Sequence, residues 1–491
     1  MELHPHRSAT AAPRAAGRRT GALAVAVALS VITAAIVSSP ATAEPGPNSA
    51  PDSLTRLYAA SPTPAMAWNS WYGHGAAISE AVIKQETQAL IDTGLTEAGY
   101  KTVWLDDGWW GGSRERNGDF VIDAQKWPSG MKGLADYIHS KGLKAGIYTD
   151  SGYDGCGGAD KGSAGYVQHD IDTFAAWGYD AVKIDHCGGD IKGLTEQQTY
   201  AAYRHAILNN SSGRPMVFNI CRWQFQPYMP VTGNTWRTDF DVASVYTDGS
   251  YTPGSGQFSW AKIVRNLDSN ARTPQVAGPG HFNDPDYLLT GHPLDTVPAA
   301  SLDAAGRSQY SMWAMMAAPL VIGTSPSTLS DASLETLKNS EMIAVDQDPL
   351  GAQGVKVAEP ANGLQVFSKR LSEPGTRAVA LFNRTTTDAE MTVDFADTGL
   401  TGTIGLRDLW QHATLTPVTG TYTVKVPAYS TVVLKATGTE ANRWDDTEGL
   451  QSSSPALATG GPDSADVFVR GTDGALYQKS WNGAAWSRNW T

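Results

Sequence analysis

The chain has 491 residues, of which 41% are hydrophobic, and a formal net charge of -12. It is too long for one average domain, and its apolar share is sufficient for a sizeable core. The acidic balance argues against nucleic acid or an anionic membrane surface as a partner, and it fits a soluble protein with a neutral substrate.

The N-terminus has the pattern of an export signal. Arg14, Arg18 and Arg19 precede a long apolar run that ends at the small-residue site 41–43. This order predicts a secretory signal peptide over residues 1–43. A membrane anchor is the alternative, because the run is nearly long enough to span a bilayer. The cleavage site favours export, so we expect an extracellular protein with no membrane association after cleavage.

Residues 44–62 lack periodicity and predict a disordered leader. From Pro64 onward, short apolar runs alternate with amphipathic helical patterns, as in 128–144, where Met131, Leu134 and Ile138 share one face. This alternation predicts βαβ units and a parallel sheet. An open sheet of the dinucleotide-binding kind is disfavoured, because no G-x-G-x-x-G motif follows any of the predicted strands.

A closed barrel is favoured instead, because polar residues follow nearly every apolar run, where barrel active sites are assembled. We therefore predict an α/β fold with a (β/α)8 TIM barrel over 63–354, whose eighth strand lies in 318–324.

The C-terminal third has a different texture. Residues 355–437 contain short alternating strands separated by turns, which predict an antiparallel β-sandwich. The tail, 438–491, contains two strand patterns around a Gly-Thr-Asp-Gly turn and a hairpin signal at Asn482-Gly483. It resembles one blade of a propeller lectin, and one blade cannot bury its own faces. We expect either a truncated array or packing of the tail on the sandwich.

The first candidate for chemistry is Asp185, which ends the segment VKID at 182–185, predicted as the end of a buried strand. A carboxylate at that end of a barrel strand faces the barrel mouth, and alternation places Lys183 on the same side. A nearby lysine favours the ionised carboxylate that a nucleophile requires. The alternative is a structural Lys-Asp pair inside the barrel.

A second carboxylate comes from 236–241. If this segment is a strand, Arg237, Asp239 and Asp241 share one face. A carboxyl in a partly desolvated mouth can keep its proton and act as general acid, and two carboxyls at about 5 to 5.5 Å define a retaining glycosidase. The pattern leaves Asp239 and Asp241 as rival candidates.

Asp106 and Asp107 stand among tryptophans. Paired carboxylates can accept hydrogen bonds from sugar hydroxyls while an indole face stacks on the ring. A metal site would need further ligands at regular spacing, and His186 and His281 fall in no such pattern. We therefore expect an oligo- or polysaccharide substrate, no metal and no cofactor.

Seven ordered blocks together resemble glycoside hydrolase family 27, the α-galactosidase and α-N-acetylgalactosaminidase group. The resemblance runs from about Pro64 to the end of the predicted sandwich, and the blocks are TPAMAWNSW, WLDDGWW, GIYTDSG, VKIDHC, WRTDFD, GHFNDPDYL and NSEMIAVDQDPLGAQG. The resemblance implies a retaining double displacement on a (β/α)8 barrel. It implies Asp185 as nucleophile, and it selects Asp241 over Asp239 as acid/base.

The resemblance also assigns binding residues and a disulfide. Family positions that line the sugar pocket match Trp71, Asp106, Asp107, Tyr148, Lys183 and Arg237. Cys156 and Cys187 match a family disulfide between neighbouring loops, which leaves Cys221 as the free thiol.

The sequence departs from the family pattern at one pocket position. The family's galactosidases carry Cys-Glu-Trp after the fifth strand, where the Glu binds the sugar 2-hydroxyl, whereas this chain has Cys221-Arg222-Trp223. A cationic donor replaces a carboxylate acceptor, which makes Arg222 a substrate-binding candidate that could change the sugar. Alternatively, Arg222 turns outward and another group meets the hydroxyl. Tyr287 also replaces a usual Met.

Three functional hypotheses follow. The first is an exo-acting α-galactosidase. The second keeps the chemistry but changes the sugar, as in the isomalto-dextranases or β-L-arabinopyranosidases that the family resembles. The third is an inactive carbohydrate-binding protein, and the presence of both Asp185 and Asp241 weighs against it.

Overall fold

The computed structural model describes residues 50–244, 248–250, 252, 254–441, 455–461, 464–471, 475–481, 486–487 and 490. The predicted signal peptide and the hairpin signal at Asn482-Gly483 lie outside these residues. Within the described ranges, no helix is both long and apolar enough to cross a membrane.

Eight short parallel strands form one sheet in the order β7-β6-β5-β4-β3-β2-β1-β8. They are β1 Met66–Asn69, β2 Thr102–Trp104, β3 Lys144–Asp150, β4 Ala181–Asp185, β5 Val217–Cys221, β6 Thr235–Arg237, β7 Phe282–Asp284 and β8 Leu320–Ile322.

The two ends of this sheet meet through Leu288, which follows β7. Its N–H donates to the Val321 carbonyl at 2.7 Å, and its carbonyl accepts from Gly323 at 2.9 Å. This contact closes the sheet, so the predicted barrel is confirmed, including an eighth strand within 318–324.

Helices follow the strands around the outside of the sheet. They are α1 Ala50–Ala59, α2 Trp71–His74, α3 Glu80–Asp92, α4 Leu95–Ala98, α5 Gly130–Ser140, α6 Val167–Trp177, α7 Glu196–Leu208, α8 Trp260–Asn270, α9 Leu302–Met315, α10 Asp331–Leu337 and α11 Ser340–Asp346. Short 3-10 turns occupy Met229–Val231, Pro274–Val276, Ala299–Ser301 and Pro326–Thr328. The predicted apolar face of α5, formed by Met131, Leu134 and Ile138, is buried.

The predicted disordered leader is wrong over its described part. Helix α1 occupies residues 50–59, and Leu57 is buried. Tyr58 stacks on His281 with ring centroids 4.4 Å apart and donates a hydrogen bond to the Pro230 carbonyl at 2.8 Å. Leu54, Leu57 and Tyr58 recur at helical spacing in this segment, so the sequence does contain a short amphipathic pattern, and contacts with the barrel stabilise the helix.

The C-terminal sandwich also forms as predicted. A six-stranded antiparallel sheet has the order β14-β13-β16-β11-β10-β9, and β12 pairs with β15. The strands are β9 Val355–Ala361, β10 Leu364–Arg370, β11 Thr376–Asn383, β12 Ala389–Asp394, β13 Leu400–Asp408, β14 Ala413–Thr419, β15 Thr421–Val426 and β16 Ser430–Glu440. Apolar residues from both sheets, including Val379, Met391 and Leu434, form one buried cluster.

The sandwich is joined to the barrel mainly through α9. Trp410 donates its indole N–H to the Ser311 hydroxyl at 2.9 Å, and the buried Lys369 ammonium donates to the Ala314 carbonyl at 2.8 Å. These contacts come from the side of the barrel wall, so they leave the mouth of the barrel to the loops that follow its strands.

The tail contains a three-stranded antiparallel sheet of β17 Ala456–Gly461, β18 Ser464–Arg470 and β19 Leu476–Trp481. Strands β18 and β19 flank the predicted Gly-Thr-Asp-Gly turn. The resemblance of this sheet to a propeller lectin blade stays a prediction.

Candidate active site

Polar side chains from neighbouring strands meet at the carboxyl end of the barrel. Parallel strands place their carboxyl ends at one rim, and the residues there are almost fully buried. The set comprises Asn69, Asp106, Asp107, Tyr148, Asp150, Lys183, Asp185, Arg237, Asp286 and Tyr287.

Asp185 ends β4 and is 7% exposed. One carboxylate oxygen accepts a hydrogen bond from its neighbour His186 N–H at 2.8 Å, and the other lies 3.3 Å from the Tyr148 hydroxyl. Burial raises the pKa of Asp185 to about 6, although Lys183 counteracts this effect. The side chain is therefore an accessible but strongly desolvated carboxyl.

Lys183 lies on the same side of β4, as alternation predicts, but its ammonium binds another carboxylate. It donates to Asp106 Oδ2 at 2.8 Å, and Asn69 and Tyr287 donate to the same oxygen at 2.8 and 3.3 Å. Burial alone would lower the pKa of Lys183, but the carboxylate of Asp106 raises it well above its ordinary value. The Lys-Asp pair that the sequence left open is therefore Lys183–Asp106.

Asp107 is a buried carboxylate that lies under the loop after β3. Its Oδ1 accepts from Gly108 N–H at 2.6 Å and lies 3.6 Å from the Lys161 ammonium. Its buried Oδ2 has no hydrogen-bond partner among the described residues. A β-carbon at Gly157 would lie 2.2 Å from this oxygen, so the loop after β3 packs directly over it.

Arg237, at the end of β6, organises the acidic side of the rim. Its Nη2 lies 3.1 Å from Asp241 Oδ1 and 3.1 Å from Asp286 Oδ2. Asp286 also accepts from the Tyr72 hydroxyl at 2.6 Å. Arg237 is buried, whereas the Asp241 side chain is 47% exposed and faces the mouth.

The predicted common face of Arg237, Asp239 and Asp241 is wrong, because β6 ends at Arg237 and a bend follows. The Asp239 carboxylate turns to α8, where it accepts from the Ser269 hydroxyl and lies 3.3 Å from Arg265. The bend thus separates the two rival acids.

Trp71 and Tyr148 border the same pocket. Trp71 begins α2, and its side chain is half-buried. The backbone N–H of Trp71 donates to Asn69 Oδ1 at 2.8 Å. Tyr148 lies on β3 in register with Lys183, and its hydroxyl also lies 2.9 Å from Asp150 Oδ1. The structure thus brings the sequence-predicted residues of β1 to β4 to one place.

Arg222 is bound to an acidic partner beside this group. Its Nε donates to Glu196 Oε2 at 2.9 Å, and the Tyr228 hydroxyl donates to the other Glu196 oxygen at 2.8 Å. Glu196 begins α7, and His186 lies 3.7 Å from it. Position 222 thus lacks the Glu of the family pattern, but Glu196 brings a carboxylate close to it, where it binds the arginine.

Two aromatic rings lie between Arg222 and the acidic side of the rim. Trp223 stacks on Phe240 with ring centroids 6.3 Å apart, and it meets His186 edge-on. Phe240 is largely exposed and immediately precedes Asp241. The mouth therefore offers an aromatic surface beside the candidate acid.

A disulfide joins Cys156, in the loop after β3, to Cys187, in the loop after β4. This confirms the predicted pairing. Cys221 ends β5 as a buried free thiol, and burial raises its pKa well above the ordinary value.

Sequence reasoning missed three residues at this rim. Asn69 and Asp286 bind the predicted residues directly, and Glu196 binds Arg222. Asp150, which binds Tyr148, was one of the polar residues found at strand ends but was given no role, and Asn69 also lies at a strand end, where the same rule could have found it. Glu196 had no such signal, because it begins a helix and meets Arg222 only in the folded chain.

Comparison with known proteins identifies the family. Residues 64–348 match the family model described as alpha galactosidase A, and 361–436 match the alpha galactosidase C-terminal beta sandwich domain. The chain belongs to the α-galactosidase family. An α-galactosidase of Oryza sativa subsp. japonica is 38% identical over 358 residues, which cover 72% of this chain and 79% of the relative.

Solved structures agree with this family. α-Galactosidase I from Mortierella vinacea superposes with a TM-score of 0.68 at 29% identity, and the match covers 78% of this chain and 99% of that one. A β-L-arabinopyranosidase of glycoside hydrolase family 27 from Geobacillus stearothermophilus superposes with a TM-score of 0.66 at 21% identity, over 78% and 98% of the two chains. The second likeness concerns the fold alone.

Proposed function

We propose that the protein is a secreted, retaining exo-glycosidase that hydrolyses terminal α-D-galactosyl residues by double displacement. The observation that carries the proposal is the placement of two carboxyls on one rim. Asp185 ends β4 in register with Cys221, and the Cys221 sulfur lies 3.8 Å from Arg237 Nη1. The other end of that guanidinium holds Asp241. Burial is the main cause of the raised pKa of Asp185, and the charge of Asp241 adds to it, which supports the view that the two carboxyls lie close together.

In the first step, ionised Asp185 attacks the anomeric carbon while protonated Asp241 gives its proton to the leaving oxygen. The glycosidic bond breaks as the glycosyl–Asp185 ester forms. In the second step, Asp241 takes a proton from water, whose oxygen attacks the anomeric carbon and releases Asp185. Asp241 is half-exposed, so it can exchange protons with solvent. Asp185 is desolvated, which makes its carboxylate a stronger nucleophile than a hydrated one.

Binding of the sugar falls to the remaining residues of the rim. Asp107, next in the chain to Asp106, is a candidate acceptor for a hydroxyl, and Lys183 and Asp106 form a fixed donor–acceptor pair. Trp71 and Tyr148 supply aromatic surface. Arg222 is the candidate for the 2-hydroxyl, held in place by Glu196.

The test is hydrolysis of an activated aryl α-D-galactopyranoside by protein that begins after Ala43. We expect clear turnover. A folded sample without turnover would contradict galactoside specificity, and dextran and an aryl β-L-arabinopyranoside would then distinguish another sugar from an inactive binding protein.

The activity should depend on pH through Asp185. This carboxyl must be ionised to attack, and its pKa is raised to about 6 by burial. We therefore expect kcat/KM to fall as the pH drops through about 6, two pH units above the limb of an ordinary aspartate. Lys183→Met removes the charge that favours the carboxylate, so its acid limb should lie higher still. A limb near pH 4 in the wild type would contradict this role.

Arg222 should recognise the sugar 2-hydroxyl. We expect Arg222→Ala to lower kcat/KM on the aryl galactoside by roughly 10-fold, as for loss of one hydrogen bond from a charged group. The wild type should hydrolyse the aryl galactoside with a higher kcat/KM than the 2-deoxy analogue, which lacks the 2-hydroxyl. In Arg222→Ala most of this difference between the two substrates should disappear. Arg214→Ala, which removes a comparable ion pair with Asp180, serves as control. Undiminished discrimination in Arg222→Ala would show that the arginine only supports Glu196.

A further inference from the structure

A buried carboxyl that the mechanism does not use lies beside the nucleophile. Asp150 ends β3, in register with Asp185 at the end of β4. It is fully buried, and the Tyr148 hydroxyl lies between the two carboxyls, 2.9 Å from Asp150 Oδ1 and 3.3 Å from Asp185 Oδ2.

These contacts cannot all be hydrogen bonds if both carboxyls are ionised. A tyrosine hydroxyl carries one hydrogen, so it can donate to only one of the two oxygens. The other contact needs a hydrogen on the carboxyl itself. If Asp150 carries it, Asp150 donates to the Tyr148 oxygen and Tyr148 donates to Asp185, so that both contacts are satisfied.

The surroundings place that proton on Asp150 rather than on Asp185. Asp150 Oδ2 has no hydrogen-bond partner in the described part of the chain, and besides Tyr148 its Oδ1 has only a long contact, 3.4 Å from Cys156 N–H. An unpaired buried oxygen is far less costly on a neutral acid than on an anion. Asp185, in contrast, accepts a 2.8 Å bond from its neighbouring backbone N–H.

Burial and the charged groups that face Asp150 favour its neutral form, against the smaller opposing effect of the hydrogen bonds from Tyr148 and Cys156. Asp185 and Asp107 are nearby carboxylates, and burial together with the Asp185 charge raises the pKa of Asp150 to about 9. Lys161 lies close to Gly155, the glycine next to Asp150 Oδ2, but its ammonium lies 3.6 Å from Asp107. On α7, the Tyr203 hydroxyl donates to the Asp150 backbone carbonyl at 3.3 Å, not to the carboxyl.

The loop that carries the disulfide packs directly against Asp150. A β-carbon on Gly155 would lie 2.5 Å from Asp150 Oδ2. The carboxyl oxygen also lies within 4.8 Å of both disulfide sulfurs. Loop 155–156 therefore covers the unpaired oxygen, and the Cys156–Cys187 bond ties that cover to the loop after the nucleophile.

We propose that Asp150 is a positioning residue, held as the neutral acid, that directs the Tyr148 hydrogen onto the nucleophile Asp185. The hydrogen bond favours ionised Asp185 before attack and stabilises the carboxylate again when the glycosyl ester breaks. This inference rests on the proposed role of Asp185 as nucleophile.

The test compares the acid limb of kcat/KM in the wild type, Asp150→Asn and Tyr148→Phe. An asparagine amide can donate to the Tyr148 oxygen as a neutral acid does, so the limb should stay near the wild-type pH and kcat/KM within a few-fold. Tyr148→Phe removes the donor, so its limb should move to higher pH, with a loss of roughly 10- to 100-fold. Adding Asp150→Asn to Tyr148→Phe should cost little more.

If Asp150 were an anion, its replacement by asparagine would remove a negative charge beside Asp185 and move the acid limb to lower pH. That result would overturn the proposal. Infrared difference spectra of the wild type minus Asp150→Asn at pH 7 supply a readout that needs no turnover. A carboxylic-acid C=O band supports the neutral acid, and a carboxylate band overturns it. Lack of turnover in the wild type would instead count against the proposed function.

Discussion

Asp185→Asn is expected to abolish turnover without weakening the fold. Loss of a covalent nucleophile should reduce kcat by about 10⁴-fold or more. The same change removes a carboxylate whose pKa is raised to about 6 by burial. A raised pKa means that the ionised group destabilises the folded state above that pH, here by about 3 kcal/mol. The variant should therefore unfold at the same temperature as the wild type, or a higher one, at pH 7.

The pH dependence of stability provides the control. As the pH falls below the unfolded-state pKa of about 3.9, Asp185 becomes protonated in both the folded and unfolded states, so most of the stability difference between wild type and variant should disappear. Thermal unfolding at pH 3.5 and pH 7, beside turnover of the aryl galactoside, measures both effects. Near-normal turnover in a pure sample of Asp185→Asn would refute its role as nucleophile.

The barrel and its nucleophile could be predicted because both depend on local patterns. Buried parallel strands are short apolar runs, and the carboxyl end of each strand is the side of the barrel on which catalytic groups collect. Asp185 and Lys183 follow from strand alternation alone. The partner of Lys183 does not, because Asp106 comes from another strand and reaches the ammonium only when the barrel closes.

Two features lay beyond a local pattern. Alternation was extended through Asp239 and Asp241, but the structure ends β6 at Arg237, and the bend sends Asp239 to α8. Helix α1 was missed because its apolar pattern, Leu54, Leu57 and Tyr58, spans little more than one helical turn. In the first case a tertiary contact overrides the local preference, and in the second the local pattern was too short to be counted.

The resemblance separated Asp239 from Asp241 before any geometry was available, and the bend gives an independent physical reason for the same choice. Asp239 is tied to Ser269 and Arg265, whereas Asp241 is half-exposed and bound by the buried Arg237. The two residues therefore form a matched pair for mutation, since they are equal in chemistry and two positions apart.

Asp241→Asn should impair the enzyme according to the leaving group. A general acid contributes about 10²- to 10⁴-fold, so kcat/KM on an oligosaccharide with a sugar leaving group should fall by that amount. An activated aryl leaving group departs without a proton, so kcat/KM on the aryl galactoside should fall far less. Hydrolysis of the ester still needs the base, so the variant should release a burst of phenol and then turn over slowly.

Asp239→Asn is the control, because it removes a carboxylate from the same segment without touching the proposed acid. This variant should leave the ratio of the two kcat/KM values unchanged and show no burst, even if the loss of the contacts between the carboxylate and α8 lowers the thermal stability. Measured side by side on both substrates, the pair assigns the proton donor by chemistry. A leaving-group dependence that appears in Asp239→Asn and not in Asp241→Asn would reverse the assignment, and the proton would then have to reach the leaving oxygen from the α8 side of the bend.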